Sequence, residues 1–209
     1  MARISPFEDY TERYEDWFVK NRFAYQSELN AVRALLPACG KGVEVGVGTG
    51  LFAAPLRVRF GVDPSINMLM QAAKKGILVV KGIGEDLPFA ADVFDFVLMV
   101  TTICFLDNVL QAFREVKRVL RPCGVFLVGF IDRESVVGRQ YLKFKNQNVF
   151  YRIADFYSVD DVTDLMKSAG FRNFSFVQTI FHVLPEITEA ESVEKGSGKG
   201  SFVVIRGTK

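Results

Sequence analysis

Val43-Glu44-Val45-Gly46-Val47-Gly48-Thr49-Gly50 decides the reading of this chain. An apolar run ends in three glycines placed at every second position. A second apolar run, Phe60-Gly61-Val62, ends in Asp63, thirteen residues beyond Gly50. The pattern predicts a strand, a tight turn, a helix start and a second strand tipped by a carboxylate. Glycine suits such a turn because the backbone angles it needs are forbidden to a residue with a Cβ. It also lets the backbone come close to a ligand. The exposed N–H groups where the next helix begins favour an anionic group. Asp63 is then placed to accept hydrogen bonds from both hydroxyls of a ribose.

The glycine spacing narrows the ligand further. Dinucleotide sites read G-x-G-x-x-G with the pyrophosphate on the helix end, whereas here the third glycine comes one residue early and the acidic Glu44 precedes the set. A carboxylate suits a cofactor with an ammonium or sulfonium group better than it suits a pyrophosphate. Glu44-x-Gly46-x-Gly48-x-Gly50, followed by Gly61-Val62-Asp63-Pro64-Ser65, resembles motifs I and II of the class I S-adenosylmethionine (SAM) dependent methyltransferases. Further segments resemble the same family in the same order. They are Gly82-Ile83-Gly84-Glu85-Asp86-Leu87-Pro88-Phe89, Phe94-Asp95-Phe96-Val97-Leu98, Arg114 to Gly124, and Ala169-Gly170-Phe171. The likeness runs from about residue 40 to residue 209 and is nearest the small-molecule branch known as methyltransferase type 11.

The resemblance implies a Rossmann-like α/β fold. It carries a seven-stranded, mostly parallel sheet with an antiparallel last strand, helices on both faces and an N-terminal helical cap. The expected division is a cap over residues 1–36 and a SAM-binding domain over 37–209, together one structural domain. SAM is the implied cofactor and S-adenosylhomocysteine (SAH) the product. Gly46, Gly48, Thr49 and Gly50 are expected along the methionine part, with Glu44 near its ammonium. Asp63 is expected on the ribose, Pro64 and Met68 flanking the adenine, Gly84 and Glu85 at the adenine edge, and Met99 on the sulfonium side. Core packing is the alternative for Met68 and Met99, and a solvated loop charge for Glu85. Two positions depart from the family pattern. Ile83 stands where many members carry an Asp that reads the adenine amino group. Cys104 and Phe105 replace a common pair of histidines, so that loop holds no histidine base.

Composition fits this reading. Of 209 residues, 49% are apolar, enough for a sheet buried on both faces, and the net charge is only +2. A nucleic-acid partner, which calls for a clustered basic face, is not expected, and a small-molecule acceptor is. Three cysteines and a single histidine exclude a zinc site of the Cys/His type, and no metal is expected. Unpaired thiols and an N-terminus without an apolar leader point to the cytoplasm. No apolar run has the length of a membrane span. Monomer and homodimer both stay open.

The periodicity predicts helix over 7–36, where Tyr10, Tyr14, Trp17 and Phe18 share one face and Tyr25, Leu29, Val32 and Leu36 another. A short helix after Gly50 is interrupted by Pro55. Strands are expected at 42–45, 59–62, 77–81, 94–100, 124–130, about 174–183 and 201–206, with helices between them. Residues 131–157, rich in aromatic and basic residues, break the alternation and form an insertion, the expected substrate cap. Ser158 and Asp161 read as a capping box, and Gly170 as a helix stop.

Methyl transfer from a sulfonium is an in-line displacement, so orientation and exclusion of water matter more than a catalytic triad. Asp132 at the end of strand five, His182 in strand six and Tyr14 on the N-terminal helix are the candidates for handling a proton. Asp132 also fits a turn cap, and His182 an ordinary structural histidine. The aromatic N-terminal helix reads either as a lid or as a plain packed face. An NAD-dependent oxidoreductase shares the glycine turn and the acidic residue. A non-catalytic protein of the same fold is the third reading.

Overall fold

The computed structural model describes residues 5–209, so the first four residues of the expected cap lie outside the described residues. The N-terminal stretch is three helices rather than one: α1 (Ser5–Asp9), α2 (Thr11–Lys20) and α3 (Arg22–Leu35). The chain turns at Asn21, whose side-chain amide donates to the Trp17 carbonyl at 2.9 Å and so competes with the helical ladder.

Eight strands form one sheet: β1 (Gly42–Val45), β2 (Phe60–Asp63), β3 (Leu78–Lys81), β4 (Phe94–Val100), β5 (Leu120–Ile131), β6 (Arg172–Thr179), β7 (Glu194–Lys195) and β8 (Phe202–Thr208). Their order is β3-β2-β1-β4-β5-β8-β6-β7. The first five of that order are parallel, while β8 runs antiparallel to both β5 and β6. The count exceeds the expected seven because Glu194–Lys195, inside the charged loop, pairs with Val177 and Gln178 at the sheet edge.

Alternation along the strands builds two cores. Val97 and Met99 of β4, Phe126 and Val128 of β5, and Val203 and Ile205 of β8 pack under α5 (Val109–Val119) and α7 (Val159–Ser168). Phe96, Leu98 and Val100, with Leu127, Phe202 and Val204, face α3, α4 (Ile66–Lys74) and the Val137 end of α6 (Val136–Lys143). The capping box at the start of α7 is present, with Ser158 Oγ accepting from Asp161 N and the Asp161 carboxylate accepting from Ser158 N.

Two expected elements differ. No regular helix follows Gly50. Residues 51–57 form successive turns that end at Arg57, whose φ is +59°. Pro55 has no N–H to give the Leu51 carbonyl four residues back, and the Tyr25 hydroxyl donates to that carbonyl instead. Strand six stops at Thr179, before Ile180 with φ +64°, so His182 lies beyond the strand rather than in it.

Candidate active site

The glycine turn is pinned by backbone bonds to β2. Gly46 N and Val47 N both donate to the Val62 carbonyl, at 2.8 and 3.0 Å. Gly46, Gly48 and Gly50 all have positive φ. The three glycines differ in what lies around them. A Cβ on Gly46 would sit 2.3 Å from Thr102, and one on Gly50 would sit 2.4 Å from Ile77. At Gly48 the nearest atom would be the Tyr14 hydroxyl at 3.7 Å, so its open side faces room for a ligand.

Asp63 closes the turn. One carboxylate oxygen accepts from Gly48 N and the other from Ser65 N, each at 2.9 Å. Each oxygen keeps a second lone pair, and the side chain lines the cavity. Burial pushes this carboxyl up to about 6. The Ser65 and Gly48 N–H groups oppose that rise, and the Glu8 charge adds to it. Ser65 Oγ then caps α4 by accepting from Met68 N at 3.2 Å.

These residues form one end of a cavity of about 470 Å³ at the carboxyl edge of the parallel strands, the place where open α/β sheets bind ligands. Gly46, Gly48, Asp63, Pro64, Met68, Gly84, Glu85 and Tyr14 all line it. Glu85 Oε1 also accepts from Asp107 N and Asn108 N, at 2.8 and 3.1 Å, tying this loop to the start of α5. Ile83 sits in the wall and is 38% exposed.

Other expected residues lie away from the cavity wall. Met99 is wholly buried and paired beside Val128 in the ladder, one residue short of Val100, which does reach the wall. Gly50 makes room for Ile77 and Ala72 instead of lining the cavity. Thr49 is buried outside the lining. Asp132 caps a turn, with one carboxylate oxygen accepting from Glu134 N at 3.1 Å, and lies outside the lining. His182 is mostly exposed and paired through Nδ1 with Glu191, which raises its pKa. It does not line the cavity.

Glu44 is also outside the wall. Its side chain is buried next to the turn, Oε2 has no hydrogen-bond partner, and burial holds its carboxyl well above the usual range. The Ala53 N–H opposes that rise and the Asp63 charge adds to it.

The far wall is aromatic. Phe7 of α1 and Tyr14, Trp17 and Phe18 of α2 come from one side, and Tyr141, Phe150, Tyr151 and Phe156 from the other. The two sides touch, since Phe7 meets both Phe105 and Phe150, with ring centroids 4.8 and 5.3 Å apart. Tyr141 and Tyr151 stack at 4.3 Å. Asp155 N donates to the Cys104 carbonyl at 2.8 Å, fastening the 131–157 segment to the loop after β4. The N-terminal helices are fastened to α4 by Ile66 N donating to Glu8 Oε1 at 2.9 Å, and by an ion pair between Glu15 and Lys75 at 2.8 Å. Tyr10, expected on the same helical face as Tyr14, is 44% exposed and lies outside the lining.

The sequence reading missed several cavity residues, among them a buried acid. Glu28 of α3 is 3% exposed, lines the cavity, and has no hydrogen-bond partner at Oε2. The signal lay in the periodicity: Glu28 stands between Tyr25 and Val32 on the apolar stripe of the helix, where a carboxylate is out of place. Among the described residues no group of His, Cys, Asp and Glu has a metal-binding arrangement, and no helix is long and apolar enough to cross a membrane.

Comparison with known proteins agrees with this geometry. Residues 43–128 match the family described as a methyltransferase domain. A crystal structure from Thermotoga maritima, described as a SAM-dependent methyltransferase and possible histamine N-methyltransferase, is 51% identical. It covers 99% of each chain with a TM-score of 0.97. An uncharacterized protein of Methanocaldococcus jannaschii is 41% identical over 206 residues, 99% of this chain and 100% of that one. A demethylmenaquinone methyltransferase of Chlorobaculum parvum is 29% identical over 68% of this chain and 69% of its own.

Proposed function

The chain belongs to the class I SAM-dependent methyltransferases, and from that premise we propose that it methylates a small molecule enclosed in the cavity. Membership sets aside the dinucleotide reading. The observation that supports a small acceptor is the continuity of the site. One continuous cavity runs from the Gly48–Asp63 turn to the aromatic wall built by α1, α2 and the 131–157 segment.

The residues present fit SAM. Gly48 leaves open space at the turn. Glu44 supplies a buried carboxyl oxygen that still lacks a partner, beside the backbone that a cationic amino acid moiety would follow. In this reading Gly46 and Gly48 hold the methionine part, and the remaining lone pairs of Asp63 take the ribose hydroxyls. Pro64, Met68, Gly84 and Glu85 surround the base. When bound, SAM supplies a methyl group activated by its sulfonium.

The chain's own contribution is orientation and dryness. The aromatic wall excludes water from the acceptor. Of the three residues expected to handle a proton, Tyr14 alone lines the cavity. Burial, then the charges of Glu44, Asp63 and Glu28, raise its pKa. Tyr14 therefore keeps its proton at neutral pH and serves as a hydrogen-bonding group, not as a base.

Titration calorimetry with SAM, SAH and NAD tests the cofactor, and SAH release on a panel of small N, O and S nucleophiles tests the acceptor. Binding of SAH with turnover on one of the panel is the expected result. Binding of NAD but not SAH, or turnover only on a macromolecule, overturns the proposal.

A further inference from the structure

Glu28 is a buried acid that the cofactor reading does not use. It sits in the cavity wall with Oε2 unpartnered, and burying a carboxyl without a partner is costly. Its charge acts on the hydroxyls of Tyr14 in α2, Tyr25 in α3, Tyr141 in α6 and Tyr151 in the 131–157 segment. Three of these hydroxyls are already engaged: Tyr25 donates to the Leu51 carbonyl, and Tyr141 and Tyr151 bond each other. None of the four satisfies Oε2. A carboxyl that lines a largely aromatic cavity and keeps a buried oxygen without a partner is the chemistry that receives a cationic group.

We propose that Glu28 is the acceptor-binding acid of this site, and that the acceptor is a primary or secondary amine carried on an apolar, aromatic-sized body. The acceptor class rests on the cofactor reading above. The amine reaches the site as an ammonium ion. One N–H bond breaks and an O–H bond forms at the Glu28 carboxylate, leaving the lone pair on nitrogen and so making it a nucleophile. That proton leaves Glu28 for solvent as the product departs. Nitrogen acceptors need this step because an ammonium ion has no lone pair to offer. Burial already places the Glu28 carboxyl at about 8, within reach of an ordinary alkylamine.

The test compares 2-phenylethylamine with 2-phenylethanol, two probes of one shape that differ in the headgroup. Each is titrated calorimetrically into the wild-type chain and into Glu28→Gln, with and without saturating SAH. In the wild type the amine is expected to bind about tenfold or more tightly than the alcohol. Below pH 8 most of Glu28 carries a proton that must leave before the cation docks. Amine affinity should therefore rise by close to a factor of ten per pH unit from pH 6, then level near pH 8. In Glu28→Gln the preference and the pH dependence both disappear, while SAH affinity stays within about twofold of wild type.

Equal binding of amine and alcohol, or a flat pH profile in the wild type, overturns the proposal. So does a preference that survives in Glu28→Gln. Loss of SAH binding in that variant would make Glu28 a cofactor ligand and equally overturn it. Should Glu28→Gln fail to fold, the wild-type contrast and pH profile decide. If SAH itself does not bind the wild type, the cofactor reading fails, and the titrations without SAH still decide the amine.

Discussion

Asp63 has two tasks at one side chain. It accepts from Gly48 N and Ser65 N, and it borders the cavity. Asp63→Ala should weaken SAH binding by about tenfold or more, since charge-assisted hydrogen bonds contribute about 1.5–3 kcal/mol. The thermal midpoint should fall as well, because two turn donors lose their acceptor. An unchanged SAH titration would remove Asp63 from the cofactor site. Gly48 separates binding from folding more cleanly. Its φ of +52° strains any side chain, at a cost of about 1–3 kcal/mol, yet a Cβ there meets only Tyr14 at 3.7 Å. Gly48→Val should therefore abolish SAH binding at a modest cost in stability. Gly46→Ala, with its Cβ 2.3 Å from Thr102, should unfold the turn as well. Near-normal SAH titration of the Gly48 variant would refute the role of this turn. The turn was legible in the sequence because its chemistry is local. Glu28 was not, because a carboxylate on an apolar stripe gains meaning only when α2 and the 131–157 segment close a cavity whose wall it joins.

At the scale of elements, the turns after Gly50 show how one missing donor shapes its surroundings. Pro55 was legible as an interruption, but its consequence was not. The Leu51 carbonyl finds its donor in Tyr25, 26 residues earlier in the chain. Tyr25→Phe should leave that carbonyl unsatisfied and lower stability by about 1–3 kcal/mol, read as a shifted urea midpoint with an unchanged slope; an unshifted midpoint would show that the bond contributes nothing. The N-terminal helices make a different prediction. Their joins to α4 are largely polar and partly exposed, the Glu15 and Lys75 side chains being 39% and 34% exposed. Such joins contribute little to stability. Hydrogen exchange over residues 7–25 is therefore expected to be fast in the free protein and slow with SAH. Trp17, which lines the cavity, should report the same event by fluorescence. Protection equal to that of β4 with or without SAH would instead make α1 and α2 plain scaffold.

At the scale of the molecule, three buried carboxyls, Glu28, Glu44 and Asp63, border the cavity or its turn with folded pKa values above their unfolded ones. Each contributes stability that is present below its unfolded value and lost as pH rises through the folded one. Asp95, Glu115 and Asp161, held low by hydrogen bonds to Lys41, Arg118 and Ser158, act in the opposite sense in acid. The free protein should accordingly be most stable in mild acid and lose thermal midpoint between pH 5 and pH 9. Asp63 acts at about 6 and Glu28 at about 8. Glu28→Gln should flatten the upper part of that decline. Melts that rise steadily from pH 6 to pH 9 would contradict this. The parallel half of the sheet was legible because each of its strands is a short apolar run punctuated by glycine or a charge. The two-residue β7 was not, since Glu194 and Lys195 carry no strand pattern and pair only because β6 presents an open edge.

The placement of β8 also bears on biogenesis. This strand joins β5 to β6 in the middle of the sheet, yet it is translated after both. Until it emerges from the ribosome, β6 has no partner linking it to β5, and the apolar faces of both strands stay open to chaperones and to neighbouring nascent chains. At about 5–20 residues per second the wait from β6 to β8 lasts on the order of seconds.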